Sequence, residues 1–231
     1  MPRPWIVHPH DAIEKHEPEL WSVLGEMGGA AGIRRRMFIA RFPDGRLAFF
    51  NAVPLREEAM RELEAFGAPA FLCVPAAYHT LDVVPFKARY PQLRVLANPG
   101  VRERLAKKIA VDGGTEEMPR GGPVRVEALR GTAGEVAVAA GGTLCFPGDA
   151  LMNIPHFGGP AGFFFRLVGS TGGPRVTNIA KLFVVRDRKA LAGHLRELAA
   201  APGLKRIVPC HGRRIEERAA DTLRAVADGL G

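Results

Sequence analysis

Three short stretches of this chain carry side chains that bind metals or move protons: Ala77-Tyr78-His79-Thr80-Leu81-Asp82, Phe146-Pro147-Gly148-Asp149 and Val208-Pro209-Cys210-His211-Gly212. Each follows an apolar run that reads as a buried strand, and strand ends in layered α/β folds deliver side chains to a shared crevice. His and carboxylate groups that converge with one coordination position open can hold an ion whose bound water becomes a nucleophile near neutral pH. His79, Asp82, Asp149 and His211 are therefore the candidate metal ligands, and Asp149 and His79 the candidate catalytic groups. Two His with one or two carboxylates suit one divalent ion, Zn²⁺ or alternatively Fe or Mn.

Each of these residues also has a structural reading. His79 can bond a backbone carbonyl ahead of a helix, and Asp82 is placed to cap the helix that starts at Val83. Asp149 can order its own loop, and His211 can cap or pair with Asp149. Cys210 reads as a packed or outer-layer thiol rather than a ligand. His156, in Asn153-Ile154-Pro155-His156, reads as a surface-loop residue, and His8, His10 and His16 as residues of a polar N-terminal stretch. Phe157 and Phe163-Phe164-Phe165 either pack in the core or form an apolar lid that favours a hydrophobic substrate. Lys87, Arg175 and Lys181 are candidates for gripping an anionic substrate.

The elements that must position these groups alternate. An amphipathic helix is expected from Asp11 to Met27, interrupted near Pro18 and ended by Gly28-Gly29. Strands over Arg35 to Phe42 and Arg46 to Ala52 flank Pro43-Asp44-Gly45, a hairpin turn. A helix over Leu55 to Phe66 stops at Gly67, and the strand Ala70 to Pro75 leads to His79. Val83 to Tyr90 reads as helix, Arg94 to Ala97 as strand and Val101 to Ile109 as helix, an order that implies parallel pairing. Three short strands follow over Val124 to Leu129, Glu135 to Ala140 and Thr143 to Phe146. Pro155 to Gly173 reads as a loop with a short apolar helix. A helix over Ala190 to Ala200, a strand over Arg206 to Pro209 and a helix over Arg214 to Leu230 close the chain.

With 231 residues, 47% of them apolar and 24% charged, the chain is sized for one substantial core. No apolar stretch reaches the roughly 20 residues that span a bilayer, and no secretory h-region follows the start, so a cytoplasmic protein without a membrane partner is expected. Three cysteines without C-x-x-C spacing argue against a disulfide framework or a Cys-based zinc ribbon. The net charge of +8 raises nucleic acid as a partner, but only Arg34-Arg35-Arg36 forms a solid basic run. Elsewhere bases alternate with acids, as solvated faces do. A small-molecule substrate is expected instead.

The order and context of the three stretches resemble the metallo-β-lactamase superfamily, from the hairpin at Arg35 to the strand and helix after Lys205. That resemblance implies an α/β fold, a four-layer αβ/βα sandwich of two mixed sheets flanked by helices, as one domain over residues 1–231 with residues 1–30 as a helical N-terminal extension. The family's H-x-H-x-D-H motif matches residues 77–82 with only the second His kept, as His79; Ala77 and Leu81 replace a His and an Asp, and Asp82 stands for the third His. Gly131, in Arg130-Gly131-Thr132-Ala133-Gly134, takes the place of another ligand His. Gly148-Asp149 matches the bridging carboxylate and His211 the last His. Tyr78-His79-Thr80-Leu81-Asp82 with Phe86-Lys87, together with Gly172-Gly173-Pro174-Arg175-Val176-Thr177, further resembles a bacterial branch of the superfamily with no established substrate. The resemblance thus implies a hydrolase-like protein with a reduced, at most mononuclear site acting on an ester, amide or phosphoester. The alternative is a metal-free, non-catalytic scaffold for a ligand or partner.

Overall fold

The computed structural model of the protein describes residues 4–28 and 34–231. A six-stranded sheet runs in the order β1 (Glu14–Glu17), β2 (Leu20–Glu26), β3 (Arg34–Arg41), β4 (Arg46–Phe50), β5 (Ala68–Cys73) and β6 (Arg94–Leu96). Its first four strands pair antiparallel and β4, β5 and β6 pair parallel. The parallel pairs follow from the crossover helices α1 (Glu57–Phe66) and α2 (Val83–Arg89) between them. Asp44-Gly45 makes the β3–β4 hairpin, with Gly45 at φ +81° where a side chain would be strained.

A second sheet, in the order β12 (Arg206–Pro209), β9 (Thr143–Phe146), β8 (Val136–Ala140), β7 (Val124–Ala128), faces the first. Alternation along each strand assigns the layers. Phe38 of β3, Phe71 of β5, Cys145 of β9 and Val208 of β12 fill the space between the sheets. Met37, Ile39 and Leu72 point the other way, onto Met60 and Leu63 of α1 and Phe86 of α2. Leu105 of α3 (Pro99–Ala106) joins that outer layer. Leu144 and Phe146 likewise meet α5 (Asn178–Phe183), α6 (Arg188–Ala199) and α7 (Ala219–Asp228) through Ala180, Leu195 and Leu223. The result is the four-layer αβ/βα sandwich. Burying one such side chain contributes about 1.5–3 kcal/mol, whereas an exposed ion pair contributes about 0–1 kcal/mol, so the layers and not the many surface pairs hold the fold.

The expected N-terminal helix is not formed. Residues 14–17 and 20–26 are β1 and β2, and residues 1–3, 29 and 30 of the expected extension lie outside the described residues. Leu20, Trp21 and Leu24 fit a helical spacing, but β3 supplies a ladder from Leu20↔Ala40 to Glu26↔Arg34, and Trp21 stacks on Phe66 with ring centroids 3.6 Å apart. Tertiary pairing overrides a weak local preference. His16, expected on a polar stretch, is buried in β1 with Nε2 2.7 Å from Ser22 Oγ.

The closing helix starts later than expected, at Ala219, because Ile215 first pairs as an extended residue with Ile207, at 2.8 and 2.9 Å. Within Pro155 to Gly173 the expected short helix is α4 (Gly159–Leu167). The two-stranded ribbon of β10 (Met152–Ile154) and β11 (Gly173–Arg175) and the helix α5 were not expected. Three-residue strands are too short to show a period.

Candidate metal centre

The parallel strands β4, β5, β9 and β12 end at one edge of the sandwich, and the three chemical stretches leave from there. His79 follows β5 through a turn in which its N–H donates to Ala76 O at 3.0 Å. Asp149 follows β9, and its loop is fixed by a residue that the sequence did not single out. The buried carboxylate of Glu135 accepts from Asp149 N at 2.9 and 3.0 Å and from Ala150 N at 2.7 Å. A Cβ on Gly148 would lie 2.6 Å from that carboxylate, so only glycine fits there. Cys210 and His211 leave β12; Cys210 N donates to Phe146 O at 2.8 Å, and Arg36 N donates to Cys210 O at 2.9 Å, which ties the end of one sheet to the other. Gly212, at φ +95°, passes so close to Asn153 that a Cβ would sit 2.0 Å from its carbonyl oxygen.

These junctions bring His79, Asp149 and His211 together. His79 Nε2 is 3.1 Å and His211 Nε2 3.5 Å from the same oxygen, Asp149 Oδ1, and the two rings lie edge to face with centroids 5.5 Å apart. Cys210 joins them: one ligand atom from each of His79, Cys210 and His211 lies within 4.8 Å of the others, and all three residues are buried. Asp149 lies beside this trio, against both imidazoles.

Protonation follows from the partners. Asp149 is ionised, so His79 Nε2–H must donate to it, which leaves Nδ1 as the nitrogen that a metal would take in place of its proton. His79 Nδ1 is buried and has no hydrogen-bond partner. His211 Nδ1–H donates to Arg34 O at 2.7 Å and leaves Nε2, which faces Asp149, as the nitrogen open to a metal. Metal-binding His characteristically hold their other N–H in this way, on a carboxylate or a backbone carbonyl. An orphaned buried nitrogen costs on the order of 1–3 kcal/mol; with a second imidazole and a thiol at hand, these donors fit one metal ion, with Asp149 beside it.

Burial disfavours charge on all four groups, and their mutual attraction outweighs it. The Asp149 carboxylate and the Cys210 thiol hold His79 well above the ordinary imidazole value. Cys210 and Asp149 likewise raise His211. His79, with His211, lowers Asp149. His211 and His79 bring the Cys210 thiol down to about 5. Two imidazolium and two anionic groups balance; exchanging the two imidazole protons for one dication keeps that balance. Asn51 supports the thiolate: its Nδ2 donates to Cys210 Sγ at 3.0 Å and to Arg36 O at 2.9 Å, from a backbone at φ +61° that non-glycine residues rarely adopt.

Asp82 is not among these donors. Its carboxylate pairs with the guanidinium of Arg35, both side chains mostly buried, and it makes no side-chain cap on α2. Of the expected anion grips, Lys87 donates to Leu93 O at 2.5 Å, Arg175 to Gly172 O at 2.7 Å and Lys181 to Gly229 O at 3.0 Å. Gly131, where the resemblance places a ligand His, stands at φ +75° with any Cβ 2.2 Å from Asp187 O and 2.6 Å from Leu191 N. Its carbonyl accepts from Arg186 N and Asp187 N at 2.8 and 3.1 Å, so this loop anchors the start of α6 and has no room for an imidazole. A groove of about 910 Å³ follows β7 and the loop at Gly131, and none of His79, Asp149, Cys210 and His211 lines it. Cys210 and Asn51 were missed as site residues because their roles need the β12 and β4 ends to meet; the C-H-G triplet was the one local signal.

No family model matches the sequence, and no curated protein matches it. Among solved structures, the chain is similar to a metallo-beta-lactamase from Pontibacter korlensis, with a TM-score of 0.61 and 12% sequence identity over 94% of this chain and 98% of that one. The fold is the metallo-β-lactamase fold. On that fold the chain carries a buried His79/Cys210/His211 group at the sheet edge.

Proposed function

We propose that this protein is a metal-dependent hydrolase with a mononuclear site, in which His79 Nδ1, Cys210 Sγ and His211 Nε2 hold one divalent ion beside Asp149. The observation that carries this reading is the mutual approach of the three donors, within 4.8 Å of one another in a buried crevice. A thiolate with two imidazoles favours Zn²⁺ over Mn²⁺, since soft sulfur suits the softer metal. Held by these three residues, a zinc ion would keep a position open to water and would lower the pKa of that water to about 7. Asp149 Oδ1 fixes the tautomer and the ring orientation of His79 and faces His211, so it is the residue that holds or accepts a proton next to the open position. An ester, amide or phosphoester is the substrate class that such water attacks, and the structural relative named a metallo-beta-lactamase supports hydrolysis as the reaction type.

Metal analysis of the purified protein should find about one equivalent, consistent with a single three-donor site, and His79→Ala and His211→Ala should lose both the metal and the turnover of p-nitrophenyl ester or phosphoester substrates. Absence of metal, with no thermal shift on adding Zn²⁺, Mn²⁺ or Fe²⁺, would sink the proposal.

A second reading has its own support. Leu81 and Gly131 stand where the resemblance places ligands, and Gly131 is closed to any larger side chain, as suits a non-catalytic scaffold. Under that reading His79→Ala and His211→Ala leave binding of a partner or ligand intact.

A further inference from the structure

The helices α4 and α5 each expose a trio of apolar side chains. Phe163, Phe164 and Leu167 of α4 and Ile179, Leu182 and Phe183 of α5 all face solvent, with Phe163 71%, Leu167 73% and Leu182 69% accessible. The spacings 163-164-167 and 179-182-183 put each trio on one helical face. The helices meet where Gly169, just after α4, lies against the side chain of Asn178 at the start of α5. At the other end of α5, Phe183 lies edge-on to Tyr78 at 6.3 Å, the residue next to His79, so the patch borders the crevice. Isolated exposed apolar residues need no explanation, but two helical faces of three each, joined where Gly169 meets Asn178, do.

The segment that carries both helices has charge of one sign. No Asp or Glu stands between Asp149 and Asp187, while Arg166, Arg175, Lys181 and Arg186 do. Arg104 adds a guanidinium 4.4 Å above the exposed Tyr78 ring. A two-fold dimer through this face would set the patch against itself and Arg166 near its own copy, a like-charge contact that disfavours a second copy. Protruding Phe and Leu on a segment whose charges are all cationic instead match an interface whose surface is anionic and whose interior is hydrocarbon.

We propose that the α4–α5 face docks the protein onto an anionic lipid bilayer, with Phe163, Phe164, Leu167 and Leu182 inserted at the headgroup boundary and Arg166 on lipid phosphates. Among the described residues no helix is long and apolar enough to cross a membrane, and surface docking needs none. The proposal is independent of the metal, so vesicle binding persists in His79→Ala.

The test is sedimentation of the full chain with phosphatidylcholine vesicles, with and without phosphatidylglycerol, at low and high salt. The protein should pellet with the anionic vesicles and be partly released by salt. The double variant Phe163→Asp/Leu182→Asp should partition at least about tenfold less, and Arg166→Glu should also bind less, both with unchanged thermal unfolding because the sites are exposed. No binding to anionic vesicles at low salt would overturn the idea. So would binding that Phe163→Asp/Leu182→Asp leaves unchanged, or equal capture by polyglutamate, since either would reduce the effect to the overall positive charge. A dimer in ultracentrifugation that this double variant dissolves would assign the face to a second copy instead.

Discussion

Cys210 changes what the crevice can hold. Without it, the site would be two imidazoles and a carboxylate, a set that hard and borderline ions share; the thiolate biases it toward zinc. Cys210→Ser should keep the fold, because the hydroxyl can still accept from Asn51, yet weaken zinc binding by at least about tenfold, as loss or misorientation of a ligand does; competition with a chromophoric chelator reads this directly. Protons compete with the metal for both imidazoles, so zinc affinity should fall steadily as pH is lowered and protons should be released on binding. Calorimetry in buffers of different ionisation enthalpy measures that release. Asp82 should behave oppositely to Cys210. Its carboxylate neutralises the buried Arg35 guanidinium, and removing one partner of a buried pair costs about 3–5 kcal/mol. Asp82→Ala should therefore lower stability by several kcal/mol in urea unfolding while the metal content per folded molecule stays at that of the wild type.

At the scale of elements, two loops decide the site. The loop after β9 depends on Glu135, whose burial, reinforced by the neighbouring Asp149 charge, pushes its carboxyl well up, while three short contacts from two backbone N–H groups hold it in place. Glu135→Ala would orphan both N–H groups at about 1–3 kcal/mol each, so a loss of about 2–6 kcal/mol in stability is expected, with loosened metal binding because Asp149 moves with its loop. Glu135→Gln, which keeps one acceptor oxygen, should cost less. The loop at Gly131 shows why a ligand His cannot stand there. Gly131→His should destabilise by about 2 kcal/mol or more, through its left-handed backbone and the clash with α6, and metal analysis should show no second ion.

For the whole molecule, acid sensitivity and the stabilisation expected from the proposed metal are the global properties to read. His16 stands in β1 against Ser22 of β2, and burial, with Arg36, Arg214 and Arg206 nearby, lowers its pKa to about 4. It is neutral when folded and titrates near 6.5 when unfolded, so the unfolded state takes up the proton first and stability falls as pH drops from about 6.5 toward 4. The loss approaches about 3 kcal/mol at the lower end, and His16→Gln should flatten that part of the profile in unfolding experiments at pH 7 and 4.5. Zinc at a hundredfold excess over its Kd should add about 2.7 kcal/mol to stability, a shift that a chelator reverses.

Much of this was legible in the sequence. Asp-Gly at residues 44–45, the apolar runs ending at Cys73, Phe146 and Pro209, and helical spacings such as that of α1 specify elements through local chemistry, and the three stretches at their ends named His79, Asp149 and His211. The N-terminal strands were not legible, because Leu20, Trp21 and Leu24 satisfy a helical period until β3 offers its ladder. Nor were the roles of Asp82, Glu135 and Asn51, whose partners Arg35, Asp149 and Cys210 lie far along the chain. What the sequence determined by itself was the layered α/β order and which side chains stand at strand ends, since both follow from period and turn chemistry. Only the tertiary structure decided that Cys210 joins His79 and His211, that Asp82 goes to Arg35 and that Gly131 is closed, because distance between remote residues is fixed by how the two sheets pack and not by spacing along the chain.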